Sequence, residues 1–156
     1  MSILTTGAEA PQFTLPRDGG ASVSLADFKG KKVVLYFYPK DDTSGCTVEA
    51  IAFTALLPEF QKADTVVIGI SPDSPASHDK FCRKHGLGVI LASDEEKTVL
   101  TAYGVWTEKS MYGRKYMGVE RTTVLVDRDG KIAGVWPKVK VKGHAEAVLE
   151  AAKKLA

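Results

Sequence analysis

Cysteine is scarce in this sequence, with 2 in 156 residues, Cys46 and Cys82. So few, so far apart, rule out the disulfide framework on which small secreted domains rely. Long apolar runs are lacking too, and none approaches the roughly 20 residues needed to cross a bilayer. Residues 1–12, MSILTTGAEAPQ, hold neither the basic segment nor the apolar stretch of a secretory leader, so none is expected. Neither sign of charge dominates, with 21 basic residues against 19 acidic and a net charge of +2. The one dense basic stretch, WPKVKVKGH, alternates lysine with valine as a solvated edge strand would, and is not expected to bind nucleic acid. These absences point to a reducing cytoplasm and to contact with neither membrane nor nucleic acid. In such a compartment a cysteine pair that oxidises is expected to be catalytic rather than structural.

What is present fits one domain over residues 1–156. The chain is 44% hydrophobic and 26% charged, enough for one core without staples. The opening segment is turn-rich, with short strands expected at Phe13–Leu15 and Val23–Leu25. Lys32–Tyr38 is a near-continuous apolar run, the pattern of a strand buried on both faces. A helix is expected from about Gly45 to Lys62. Its buried set reads as Val48, Ile51, Ala52, Ala55 and Leu56, with Pro58 as a kink or early break. Thr65–Ile70 reads as a second buried strand. Ser74 is placed to cap a helix, with Pro75 at its first position, His85 near its end and Gly86 stopping it. Val89–Ala92 reads as a short strand and Glu95–Tyr103 as helical, within a less regular segment. Thr122–Asp127 and Lys131–Trp136 flank Arg128-Asp129-Gly130, a hairpin signal. Gly143–Leu155 closes the chain as an amphipathic helix. This order predicts an α/β fold with a mixed central sheet and helices on both faces.

The junction PKDDTSGCT, residues 39–47, carries the chemistry. A structural cysteine would sit inside an apolar run, whereas Cys46 follows a polar turn and opens a helix. Unpaired N–H groups and the positive end of the helix dipole favour a thiolate there, and Lys40 is near in sequence. Thr43 precedes the cysteine by three residues, its hydroxyl free to meet a group held at the sulfur. Pro39 sets the entry of the loop and can shield the sulfur from bulk water. On position alone, Thr43 as a plain helix cap and Cys46 as an incidental small residue fit equally well.

The run Pro39-x-x-x-Thr43-x-x-Cys46 resembles the signature of the peroxiredoxins. Its setting, YFYPKDDTSGCTVEA, is similar to the bacterioferritin-comigratory protein or peroxiredoxin Q branch. The likeness continues through GISPDSPASHDKF, LASDEEK, YGVW and ERTTVLVDRDGKI, and on through Val139–Leu149. The resemblance implies a thioredoxin-like fold and a thiol-dependent peroxidase acting on hydrogen peroxide and organic hydroperoxides. Cys46 would attack the O–O bond as a thiolate, and Thr43 would position the peroxide. Arg121, at the start of RTTVLVD, would hold the thiolate and stabilise the charge shifting onto oxygen. Glu49 is a candidate for orienting Arg121. No flavin, haem or metal is implied; a thioredoxin- or glutaredoxin-type dithiol would restore the enzyme by exchange. The branch also suggests a monomer, and no exposed apolar patch is evident from the sequence.

Many members of the branch carry a resolving cysteine five residues after the first; here that position is Ile51. Cys82 instead matches a subgroup whose resolving cysteine lies in the later helix, where it would close an intramolecular disulfide with Cys46. In a one-cysteine mechanism it would stay inert. His78, Cys82 and His85 also share one helical face at i, i+4 and i+7, a conceivable metal clasp. Three side chains along one straight helix diverge too little for tetrahedral closure, so no metal is expected. Bridging two helices requires Cα atoms within about 7 Å. Local unwinding around Cys46 and Cys82 is therefore expected on oxidation, with Pro58, Pro72 and Pro75 as hinge points. A Cys-x-x-Cys exchange motif is missing, since Glu49 stands at its second position. A peroxide sensor, using the same oxidation to expose a partner surface, is the rival reading from another class.

Overall fold

The computed structural model describes residues 4–156, so residues 1–3 of the stretch read for a leader lie outside it. Its frame is a five-stranded sheet in the order β5-β4-β3-β8-β9. β3 (Lys32–Phe37), β4 (Thr65–Ser71) and β5 (Ile90–Ser93) run parallel, while β8 (Thr122–Val126) and β9 (Ile132–Trp136) add antiparallel neighbours on the other side of β3. β3 is central, paired on both edges and buried along its whole length. Its side chains alternate between two apolar clusters. Val33, Leu35 and Phe37 enter one, and Val34 and Tyr36, with Tyr38 just beyond, enter the other. That two-sided burial is why the run reads as continuously apolar rather than alternating.

The two faces are covered unequally. α1 (Ser44–Ala55), α2 (Leu57–Lys62), α3 (Pro75–His85) and α5 (His144–Lys154) send Phe53, Phe60, Phe81 and Val148 into the cluster with Tyr36 and Cys46. The opposite face receives α4 (Thr98–Ala102) through Val99 and Leu100, and Leu15 and Val23 of the small hairpin β1 (Thr14–Pro16) and β2 (Ser22–Ser24). Helices therefore lie on both faces, four against one. No helix among the described residues is long and apolar enough to cross a membrane.

Several boundaries move by a residue, and other expectations are corrected outright. The helix read to Lys62 breaks at Leu56 and restarts with Pro58 in the first turn of α2, the early break that proline favours. The buried stripe of α1 is Cys46, Glu49, Ala50 and Phe53; of the expected set, Ala52 and Leu56 pack partly buried beside it, while Val48, Ile51 and Ala55 are exposed. Val48 and Ile51 are 57% and 45% exposed. Burial of the charged Glu49 hid the true stripe, because a glutamate reads as the solvent side of a helix. WPKVKVKGH is not a strand: β9 ends at Trp136, Pro137 follows, and Lys138 takes a left-handed φ of 49°. The segment treated as irregular holds a hairpin, β6 (Trp106–Met111) and β7 (Arg114–Val119), turned at Tyr112-Gly113 with both φ positive. It carries exposed Met111, Tyr112, Tyr116 and Met117, apolar surface that was not expected. α4 is also shorter than expected, starting after the left-handed Lys97.

Candidate active site

Cys46 is the third residue of α1 and is 1% exposed. The helix begins without a side-chain cap. Thr43, at the cap position, donates its hydroxyl backward to Lys40 O at 2.8 Å instead. First-turn N–H groups are thereby left to favour negative charge close to the sulfur. The turn before the helix bends through Asp42, whose φ is 60°.

Arg121 lies between β7 and β8, and its planar fork spans two groups of α1. Nη1 donates to Glu49 Oε1 at 2.6 Å, and Nη2 donates toward Cys46 Sγ at 3.3 Å. Lys40 is exposed on the turn, so the cation at the sulfur is Arg121. Burial works against the Arg121 charge, yet Glu49 and Cys46 outweigh it and hold the guanidinium above its ordinary range. Gly45 makes room for this approach, since a Cβ there would stand 3.2 Å from Nη2. Glu49 is almost wholly buried, and burial pushes its carboxyl up to about 7 against the pull of Arg121. Beneath the site, His144 Nε2 meets Thr123 Oγ1 at 2.8 Å. Burial, then the Arg121 charge, push this imidazole down to about 4.

Cys46, Arg121 and Glu49 are thus brought together, with Thr43 and half-buried Pro39 on the adjoining turn. Cys82 lies on α3 and packs, half-buried, against the same apolar cluster as Cys46; both thiols are free. Burial pushes the Cys82 thiol up to about 12, with Asp18, Asp41 and Asp79 adding to the rise. The histidines that share its helical face look elsewhere. His78 meets Asp41 Oδ2 at 2.7 Å and Ala92 O at 3.1 Å through its two ring nitrogens, and His85 meets Asp42 Oδ1 at 2.8 Å. Among the described residues no group of three or more His, Cys, Asp or Glu side chains could hold a metal ion.

Asp41, in the polar turn, is buried and receives Tyr38 Oη at 2.6 Å, Ser77 Oγ at 2.8 Å and His78 Nδ1. An aspartate between Lys40 and Asp42 reads as solvated, and two of its three partners, Ser77 and His78, lie more than thirty residues away.

Comparison with known proteins places this geometry in a family. Residues 6–135 match the AhpC/TSA family model. The putative peroxiredoxin Bcp of Coxiella burnetii is 52% identical over 94% of this chain and 97% of its own. The bacterioferritin comigratory protein of Xanthomonas campestris, solved in a study of its alkyl peroxide reduction activity, is 43% identical. It covers 98% of each chain, with a TM-score of 0.89. Two serine variants of that organism's peroxiredoxin Q match at 44% identity and a TM-score of 0.89, over 97% of this chain and 96% and 97% of theirs. Their replaced cysteines stand 36 positions apart, as do Cys46 and Cys82. The central mixed sheet with helices on both faces is that of a thioredoxin-like fold, and the chain belongs to the AhpC/TSA family as a peroxiredoxin of the Bcp or peroxiredoxin Q kind.

Proposed function

We propose that this peroxiredoxin works through Cys46 as nucleophile and Cys82 as resolving thiol, reducing hydrogen peroxide and organic hydroperoxides. The observation that carries the reading is the Arg121 fork, which faces the Cys46 sulfur with one nitrogen and the buried Glu49 with the other. A fixed cation at the sulfur supplies the charge a thiolate needs, and the second bond holds its direction. The thiolate attacks the terminal peroxide oxygen, a sulfur–oxygen bond forms and the O–O bond breaks. The leaving oxygen departs as alkoxide or hydroxide and takes a proton to become alcohol or water. Charge moves from sulfur to oxygen during this step, within reach of Arg121, which is where fixed positive charge lowers a barrier most. Thr43 and Pro39 shape the entry on the turn. Glu49 acts as the positioning residue for Arg121.

The sulfenic acid on Cys46 then condenses with Cys82 to a disulfide, and a thioredoxin- or glutaredoxin-type dithiol reduces it. The 36-position separation shared with the Xanthomonas campestris variants supports Cys82 in this role. Two free thiols suit a reducing cytoplasm, and we expect a monomer. The test is peroxide consumption under excess dithiol, with thioredoxin- and glutaredoxin-type reductants compared. A catalyst consumes many equivalents per chain and stops when Cys46 is replaced by serine. Consumption that ends after one equivalent, with reductant still present, would make the chain a sensor.

A further inference from the structure

The polar turn before Cys46 and the helix that carries Cys82 are tied together by a buried network that the peroxidase chemistry does not itself require. Asp41 stands at its centre. Its carboxylate accepts from Tyr38 at the end of β3 and from Ser77 and His78 in the first turns of α3. Its backbone N–H donates to Asp73 Oδ2 at 2.8 Å, and that oxygen also receives Ser71 Oγ at 2.7 Å. His78 is completely buried, and its other nitrogen faces Ala92 O on β5, so α3 is pinned to the sheet by the same ring. An outer layer repeats the link at the surface. Asp42, held at a left-handed φ, receives Lys84 Nζ at 2.6 Å and His85 Nε2 at 2.8 Å from the last turn of α3.

Five of these bonds, from Asp41 to Asp73, Ser77 and His78 and from Asp42 to Lys84 and His85, run between the turn that leads into Cys46 and the segment that carries Cys82. His78 precedes Cys82 by one helical turn. Unwinding α3 far enough to free Cys82 withdraws Ser77 and His78 from Asp41, leaving a buried carboxylate short of donors, a costly state. While the network is closed, Cys82 also stays a protonated thiol, because burial and the carboxylates around it push it up to about 12.

We propose that Asp41 is a positioning residue: its network with Ser77 and His78 sets the Cys46 turn for attack on peroxide, and its release is the gate through which Cys82 resolves the sulfenic acid. This rests on the reading of Cys82 as the resolving cysteine. In the gated step the Cys82 sulfur attacks the Cys46 sulfenic sulfur. An S–S bond forms, the S–O bond breaks, and oxygen leaves as water with the sulfenic hydrogen and the Cys82 proton. One network therefore pulls the two half-reactions in opposite directions, favouring oxidation and retarding closure.

The test separates the half-reactions by rapid mixing with hydrogen peroxide, quenching and intact-mass analysis, with sulfenic acid trapped by a dimedone reagent. Wild type, Asp41→Asn, Ser77→Ala and Val99→Ala are compared. Val99 lies on α4, on the other face of the sheet, and controls for a general loss of stability followed by thermal denaturation. Asp41→Asn is expected to slow oxidation about tenfold, the scale of a misplaced reacting group. Both network variants are expected to close the disulfide faster, Ser77→Ala about fivefold, the scale of one lost hydrogen bond. Val99→Ala, at an equal loss of stability, shows neither change. A wild type that closes while both network variants close no faster overturns the gate alone. A wild type that halts at the sulfenic acid overturns the Cys82 assignment, and the gate with it. Parallel changes in Val99→Ala would reduce the network to ordinary stability and overturn the positioning role.

Discussion

The two thiols of this chain border one apolar cluster yet meet opposite charges. Cys46 opens a helix whose cap leaves its first N–H groups unserved, and a guanidinium donates to its sulfur. Cys82 lies in the body of α3, where burial and three aspartates make ionisation hard. Identical side chains are thus given different surroundings by their neighbours, and in the proposed cycle Cys46 acts first and Cys82 waits until its surroundings loosen. Cysteine reactivity follows thiolate character, so the contrast supports the proposed order of the cycle as well as its division of labour.

The strongest way to break the contrast is to exchange which thiol is missing. Cys46→Ser is expected to lower peroxide turnover by about three orders of magnitude or more, the scale of losing a nucleophile. Cys82→Ser should still consume the first equivalent at the wild-type rate and then stall. Stopped-flow oxidation of both variants measures this directly. Removing the charge contrast at Cys46 comes next. Arg121→Lys keeps a cation but cannot face Glu49 and the sulfur together, and should slow the oxidation step about a hundredfold.

Glu49 offers a subtler lever through pH. Its folded carboxyl stands near 7 against an ordinary 4.5, chiefly because burial disfavours the charge. A raised carboxyl binds its proton more tightly in the folded state, so the stabilisation is present below 4.5 and is lost as pH climbs through about 7. The melting temperature of wild type relative to Glu49→Gln should therefore fall across that window and level off above it. Differential scanning calorimetry over the range decides the sign. The smallest effect expected lies on the Cys82 side. Asp79→Asn keeps an acceptor for the Gly19 N–H and removes one of the opposing charges. In a Cys46→Ser background it should speed Cys82 alkylation about twofold, the scale of one partly solvated charge.

How much of this could be read from the sequence depended on whether the signal was local. β3 and β4 were legible because burial on both faces leaves an unbroken apolar run, and α3 because Ser74, Pro75 and Gly86 mark its ends chemically. The β6–β7 hairpin was not. Both of its strands are largely exposed, so no face is apolar, and its turn uses Tyr-Gly rather than the usual Asn-Gly or Asp-Gly. The buried face of α1 was misassigned for a related reason: Glu49 is buried through Arg121, 72 positions away, and nothing near it announces a partner. Cys46 drew attention by its place after a polar turn. Arg121 and Cys82 acquired roles only through resemblance to a family, and Asp41 acquired none, since two of its three donors, Ser77 and His78, are brought to it by the fold.

The central claim, that Cys46 reacts first and Cys82 closes the cycle, is most directly tested by intact-protein mass spectrometry. Wild type and Cys82→Ser are each treated with one equivalent of hydrogen peroxide and then mapped as non-reduced peptides. The account predicts a loss of two hydrogens in wild type, mapped to a Cys46–Cys82 bridge, and a trappable sulfenic acid on Cys46 in the variant. A wild-type chain that stops at the Cys46 sulfenic acid with Cys82 still free would contradict it.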